Sequence, residues 1–151
     1  MTDLSEIKQE IVDILLSDTD LCTLLGKDPA GDVPVYNGWQ LGKHPVLPSV
    51  TVTDSADVGE VSGLGDGFDG TTVYEWSYTV IQIDVWAADE ASRDAISVQV
   101  RKALLKAAVG LSGLGIAFLS SNIVPVNEAN ELIFRHCIRY TVFYQLEASL
   151  E

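Results

Sequence analysis

The sequence predicts one α+β domain: an antiparallel sheet flanked by two main helices, in the order helix, strands, helix, strands. Three observations carry this. Two segments repeat apolar residues at helical spacing, one at the start of the chain and one in its second half. Four segments alternate apolar and polar residues at strand spacing. Loops join the strands, so neighbours are expected to pair antiparallel with the helices packed on the sheet. The 151 residues suit a single domain spanning 1–151, and 47% hydrophobic residues suffice for a core. No internal repeat or linker divides the chain.

The first helix is read over residues 3–16. Asp3 stands as N-cap with Glu6 three residues later, and Leu4, Ile7, Ile11, Ile14 and Leu15 form the stripe. Ser17-Asp18-Thr19-Asp20 breaks it and caps a short helix, Leu21 to Leu25, stopped by Gly26. Residues 27–48 hold four of the five prolines and read as a connection with one short strand at Val33 to Tyr36. From Ser49 to Val58 the chain alternates. Val50, Val52, Ala56 and Val58 are assigned to a buried face; Ser49, Thr51, Thr53, Ser55 and Asp57 to a wet one.

Residues 59–72 carry five glycines together with Glu60, Asp66 and Asp69 and are expected to form a flexible loop. A long strand follows, Val73 to Ala87, and its pattern changes phase. Tyr74, Trp76, Tyr78 and Val80 share one face, whereas Ile81, Ile83 and Val85 share the other. One core cannot use both, so the first half should project and meet a partner. A helix opens at Asp89 and Glu90 and runs to about Val109, with Ile96, Val100, Ala103, Leu104 and Ala107 as its stripe. Strands at about Ala117–Val126 and Leu132–Leu146 complete the domain. On the last, Phe134, His136, Ile138, Tyr140 and Val142 share a face.

Composition narrows the function. Asp and Glu total 22 against 9 Lys and Arg, a formal net charge of −13. Such a surface repels phosphate, which disfavours non-specific nucleic-acid binding. Either adaptation to high salt or one acidic functional surface would explain it; the spread of the acids along the chain favours the first. No apolar run is long enough for a membrane span, and the opening Met1-Thr2-Asp3-Leu4-Ser5-Glu6 lacks the pattern of a signal peptide. A cytoplasmic site of synthesis is expected, with Cys22 and Cys137 as two buried thiols.

The search for chemistry returns no catalytic, cofactor or metal motif. His44 sits in the Pro-rich connection. His136 and Cys137 are strand neighbours that point to opposite faces, so they cannot act as base and nucleophile. Asp66-Gly67-Phe68-Asp69-Gly70 lacks the oxygen spacing and distal Glu of a calcium loop. The aromatic row is more informative: Tyr74, Trp76 and Tyr78, with Leu64 and Phe68 of the adjoining loop, are the candidate oligomer or partner interface. Plain sheet packing is the competing reading. A ligand- or peptide-binding module using Trp39, Trp76 and Trp86 is a further alternative.

Several stretches together resemble a known family. A first helical region ends in Leu24-Leu25-Gly26. Val35-Tyr36-Asn37-Gly38 and the run Pro45 to Val52 follow. After the acidic glycine-rich loop come Tyr78 to Ala87 (YTVIQIDVWA), Val100 to Leu104 (VRKAL) and Arg139 to Gln145 (RYTVFYQ). In order and spacing this resembles the tail-terminator, or tail-completion, proteins of long-tailed phages and archaeal tailed viruses. The resemblance implies a non-enzymatic virion protein, assembled in the host cytoplasm and placed at the tail–neck junction. It implies a homo-oligomer, a hexameric ring capping the head-proximal end of the tail tube. Its partners would be the tail tube protein and a neck or head-completion protein, with DNA passing through the ring without specific binding. A head-completion or minor tail-tube subunit is the neighbouring alternative. The acidity departs from typical members and would suit a halophilic host.

Overall fold

The computed structural model describes residues 4–38, 46–61, 70, 72–112, 117–127 and 133–149. It contains α1 (Leu4–Ser17), α2 (Thr19–Leu25), β1 (Val35–Asn37), β2 (Ser49–Val61), β3 (Thr72–Ala87), α3 (Glu90–Ser112), β4 (Ala117–Asn127) and β5 (Phe134–Ser149). The α+β class expected from the sequence is therefore present. The strands form one sheet in the order β1-β2-β3-β5-β4.

Helix boundaries follow local chemistry. Asp18 caps α2, its side chain accepting from the Leu21 N–H, and Gly26 ends the helix at φ 69°, a conformation costly for any residue with a Cβ. Asp89 caps α3 by accepting from the Ser92 N–H at 2.7 Å. That helix does not stop at Gly110 as expected but continues to Ser112. A lone glycine costs a helix only about 1 kcal/mol relative to Ala, too little to end a 23-residue helix.

The sheet corrects two expectations. First, β1 pairs with β2 in parallel, Val35 opposite Val50 and Asn37 opposite Val52, while every other pairing is antiparallel. The connection between them is long enough to return the chain to the end where β1 began, so a parallel pair becomes possible. Second, β2 carries a bulge between Asp54 and Ala56. Before it, Val50 and Val52 align with Val85 and Ile83; after it, Ala56 and Val58 align with Val80 and Tyr78. One extra residue reverses the strand's parity. The four apolar positions assigned to one face of β2 thus divide between both faces. The loop expected over 59–72 is also shorter, because Gly59 to Val61 and Thr72 belong to strands; residues 62–69 and Thr71 lie outside the described residues.

All three helices pack on one sheet face. Ile7, Ile11, Val12 and Leu15 of α1, Leu21 and Leu25 of α2, and Ile96, Val100, Ala103 and Leu104 of α3 enclose Val50, Val52, Ile81, Ile83, Val85, Ile138, Tyr140 and Val142. The long β3 lies between β2 and β5 and is paired along its length. Pro125 occurs in β4, an edge strand, where a missing N–H does not interrupt the ladder. Among the described residues, no helix is long and apolar enough to cross a membrane.

This packing sets a clear contrast. Ile83→Ala removes a wholly buried side chain from the central strand and should cost about 2–5 kcal/mol in urea unfolding. Leu105→Ala, at a residue 76% exposed on α3, should stay within about 0.5 kcal/mol.

Candidate functional site

The sheet face away from the helices was expected to be wet along β2. It is instead a second small buried layer. Ser49, Thr51 and Thr53 of β2, Gln82 and Asp84 of β3, and Cys137 of β5 are all buried. Cross-strand register brings them together: Thr51 and Cys137 flank Asp84, Thr53 and Arg139 flank Gln82, and Ser49 and Arg135 flank Trp86. The longer side chains are tied down in this layer. The Trp86 indole N–H donates to Thr51 Oγ1 at 3.1 Å, and the Arg135 guanidinium lies 5.0 Å from the Trp86 ring centroid, a cation–π arrangement.

Asp84 is the centre of this layer and has no exposed surface. Its Oδ2 accepts from Gln82 Nε2 at 2.8 Å. Its Oδ1 faces Arg135 Nε at 3.5 Å, an ion pair whose alignment falls short of a hydrogen bond and leaves both atoms without one. Arg139 Nε reaches Gln82 Oε1 at 3.5 Å. A chain of polar contacts therefore runs from Arg139 through Gln82 to Asp84 and on to Arg135. Burial, with the Asp84 carboxylate next in importance, raises the Cys137 thiol above its ordinary range. That keeps it protonated and unreactive.

Another cluster sits on the opposite face, between α3 and β5. Ser97 Oγ lies 2.7 Å from His136 Nδ1, and His136 Nε2 lies 3.5 Å from Asp94 Oδ1. Serine, histidine and aspartate are thus aligned as in a hydrolase. The sequence reading missed this grouping, because Ser97 and Asp94 lie far from His136 in the chain and neither sits in a motif. The geometry is nonetheless that of a structural tie. Ser97 is 2% exposed, and its hydroxyl donates to the Arg93 carbonyl at 2.8 Å. With that proton committed, His136 must donate from Nδ1, which leaves no base facing the serine. Arg93, buried beneath the cluster, pairs with Asp94 at 3.1 Å and Glu90 at 3.4 Å. The expected separation of His136 from Cys137 is present: His136 meets α3, while Cys137 belongs to the Asp84 layer.

Other candidates resolve as follows. Tyr74, Trp76 and Tyr78 are placed in β3 at backbone level, opposite Glu147, Gln145 and Phe143. Leu64, Phe68, Trp39 and His44 lie outside the described residues. Trp86 is not an open binding platform, since Thr51 and Arg135 occupy its edge and face. Cys22 is only part-buried, its sulfur 3.2 Å from the Leu16 carbonyl, rather than fully enclosed as expected. Asp28 closes a local turn by accepting from the N–H groups of Ala30 and Asp32 and from the Tyr36 hydroxyl, each at 2.9 Å. The Asp32 N–H chiefly lowers the pKa of Asp28, while burial and then Asp28 push that of Tyr36 up to about 12. Among the described residues, no group of three His, Cys, Asp or Glu side chains is placed to hold a metal.

Two measurements test these clusters. Asp84→Ala leaves Arg135 opposite an empty buried position and should cost roughly 3–5 kcal/mol; Asp84→Asn should cost less. His136 is held below its ordinary value by burial first and by Arg93 second. The unfolded chain therefore takes up the proton first. Its contribution to stability is complete above the unfolded value of 6.5 and is lost as the pH falls through the lower folded value. Wild-type unfolding free energy should decline from pH 7 to pH 5, and His136→Gln should flatten that decline.

No protein-family model matches the chain, and no curated protein matches it. Among solved structures, the chain is similar to one chain of the virion of a native gene transfer agent particle. The two are 19% identical, with a TM-score of 0.53, and the match covers 94% of this chain and 95% of that one. At that identity the likeness establishes a shared fold, and it extends over nearly the whole of both chains.

Proposed function

We infer that this chain is a non-enzymatic virion assembly protein of a tailed, phage-like particle. Its place is the tail–neck junction, as a homo-oligomeric ring, hexameric by the resemblance, that caps the head-proximal end of the tail tube. The observation that carries this reading is the near-complete fold match to a chain of the gene transfer agent virion. The ordered resemblance to tail terminators from Leu24-Leu25-Gly26 to Arg139–Gln145 supports it independently. So does the commitment of Ser97 and His136 to structural hydrogen bonds. A head-completion or minor tail-tube subunit is the second reading, favoured by the same fold match, which extends to a virion chain without distinguishing its position.

The contact surface in this reading is the aromatic row of β3. Register aligns Trp76 and Tyr78 with Glu60 and Val58 of β2, and Tyr78 with Phe143 of β5. Leu64 and Phe68 of the adjoining segment would extend the surface. The tail tube protein and a neck protein are its partners, and the net charge of −13 lets DNA slide through the ring without adhering.

Negative-stain images of the purified protein, alone and mixed with tail tubes, provide the test. Closed rings, free or at one tube end, are the expected result. Trp76→Ala should abolish them while circular dichroism and thermal unfolding stay close to wild type. Wild-type protein that forms no ring in either setting contradicts the reading, and decoration along the whole tube would point to the tail-tube alternative.

A further inference from the structure

We propose that Arg135 and Arg139 form a docking site for the acidic outer face of helix α1 on a second copy of this chain. This rests on the ring reading above and names the contact that would join one subunit to the next.

The first observation is the built character of the arginine pair. Only four of the nine cations are arginines. Arg93 is buried beneath the His136 cluster. Arg101 meets Tyr140. Arg135 and Arg139 lie on one face of β5, with Cys137 between them, on the side of the sheet that no helix covers. Each is held from below: Arg135 by Asp84 and the Trp86 ring, Arg139 by Gln82, which itself bonds Asp84. Both use Nε for this inward contact, and among the described residues nothing takes their terminal nitrogens. The buried Asp84 Oδ1 faces Arg135 Nε at 3.5 Å, which anchors the stem of that guanidinium from within. Two guanidinium groups fixed at the stem and open at the tip fit carboxylates.

The second observation is where carboxylates of this chain stand in a matching row. Glu6, Glu10 and Asp13 recur at spacings of four and three along α1, which places them on one side of that helix. Glu6 and Asp13 are exposed and Glu10 is half-buried. The lysine of this helix, Lys8, does not pair with Glu10 or Asp13, because its ammonium pairs with Asp54 of the same subunit at 3.2 Å. Asp13 accepts one hydrogen bond from Gln9 and keeps further lone pairs. Glu6 to Asp13 spans about 10 Å of helix, and Arg135 to Arg139 about 13 Å of strand, a difference that arginine side chains cover.

Geometry excludes an internal pairing. Helix α1 lies on one side of the sheet and the arginine pair on the other, so the two surfaces can meet only between copies. A closed ring is built from heterologous contacts, in which one patch meets a different patch on the next subunit. A basic sheet face against an acidic helix face meets that requirement. It also supplies local attraction between subunits whose net charges repel.

A charge-swap experiment on the full chain tests this, with assembly followed by sedimentation velocity. Arg139→Glu changes an exposed residue, and Glu10→Lys with Asp13→Lys changes the other surface; thermal unfolding checks that each variant folds. Each should weaken self-association at least tenfold, and the variant carrying all three changes should recover most of it. Normal assembly of the folded Arg139→Glu protein overturns the site. Loss without recovery in the combined variant overturns α1 as the occupant. Normal assembly joined to reduced retention of double-stranded DNA assigns the arginines to phosphate instead and overturns the site as well. A wild-type chain that never self-associates removes the ring reading itself, an outcome distinct from the other three.

Discussion

The length of the central strand constrains everything else in this domain. β3 has 16 residues and extends about 50 Å, whereas α3, the longest helix, covers about 35 Å and α1 about 20 Å. α3 starts where β3 ends and runs back along it, so its length matches only about ten strand residues. The first part of β3 extends past that cover, together with the ends of β2 and β5 that pair with it. A sheet that outruns its helices keeps its backbone groups paired through the ladders.

The bulge in β2 is the device that makes such a sheet workable. Ahead of it, β2 offers Val50 and Val52 to the helices and Ser49, Thr51 and Thr53 to the other side. Past it, the register places Ala56 and Val58 in line with Val80 and Tyr78, the positions of β3 that alternate away from the helices. The change of phase read in β3 and the bulge in β2 thus occur at the same level of the sheet. In the covered half both strands carry apolar side chains toward the helices: Val50 and Val52 on β2, Ile81, Ile83 and Val85 on β3. A single residue inserted in one strand reverses which of its positions face the helices.

How much of this the sequence disclosed depends on the range of the interaction. The helices were legible because Ile7, Ile11 and Leu15, and Ile96, Val100 and Leu104, recur at a period that only a helix brings to one side. The core face of β3 was legible for the same reason, since Ile81, Ile83 and Val85 alternate at strand spacing and all three are buried. The parallel β1 was not, since three residues carry no directional signal. The bulge was missed because Val50 and Val52 keep the same parity as Ala56 and Val58 across Thr53-Asp54-Ser55, and only the partner strand reveals the extra residue. Burial of Ser49, Thr51 and Thr53 was missed because polarity was taken for wetness. Those residues are covered by a layer whose members, Trp86, Asp84 and Arg135, come from different strands. The Ser97–His136–Asp94 grouping failed to show for the same reason: two elements separated by about forty residues meet only in the fold.

Electrostatics gives the domain its selectivity. With 22 acids against 9 cations, each cation spent on an internal contact leaves the outer surface more negative. Lys8 is paired with Asp54, Arg93 with Glu90 and Asp94, and Arg135 with Asp84. At a Debye length of about 8 Å in physiological salt, the surface that remains repels copies of itself and phosphate alike until two surfaces come close. Only contacts that combine apolar burial with a local match of charge overcome that repulsion. In the proposed ring, where identical copies would join while DNA passes, a strongly acidic exterior broken by a few built basic positions would serve both ends. It would suppress unspecific association and leave attraction where side chains such as Asp84 and Gln82 fix a guanidinium in place.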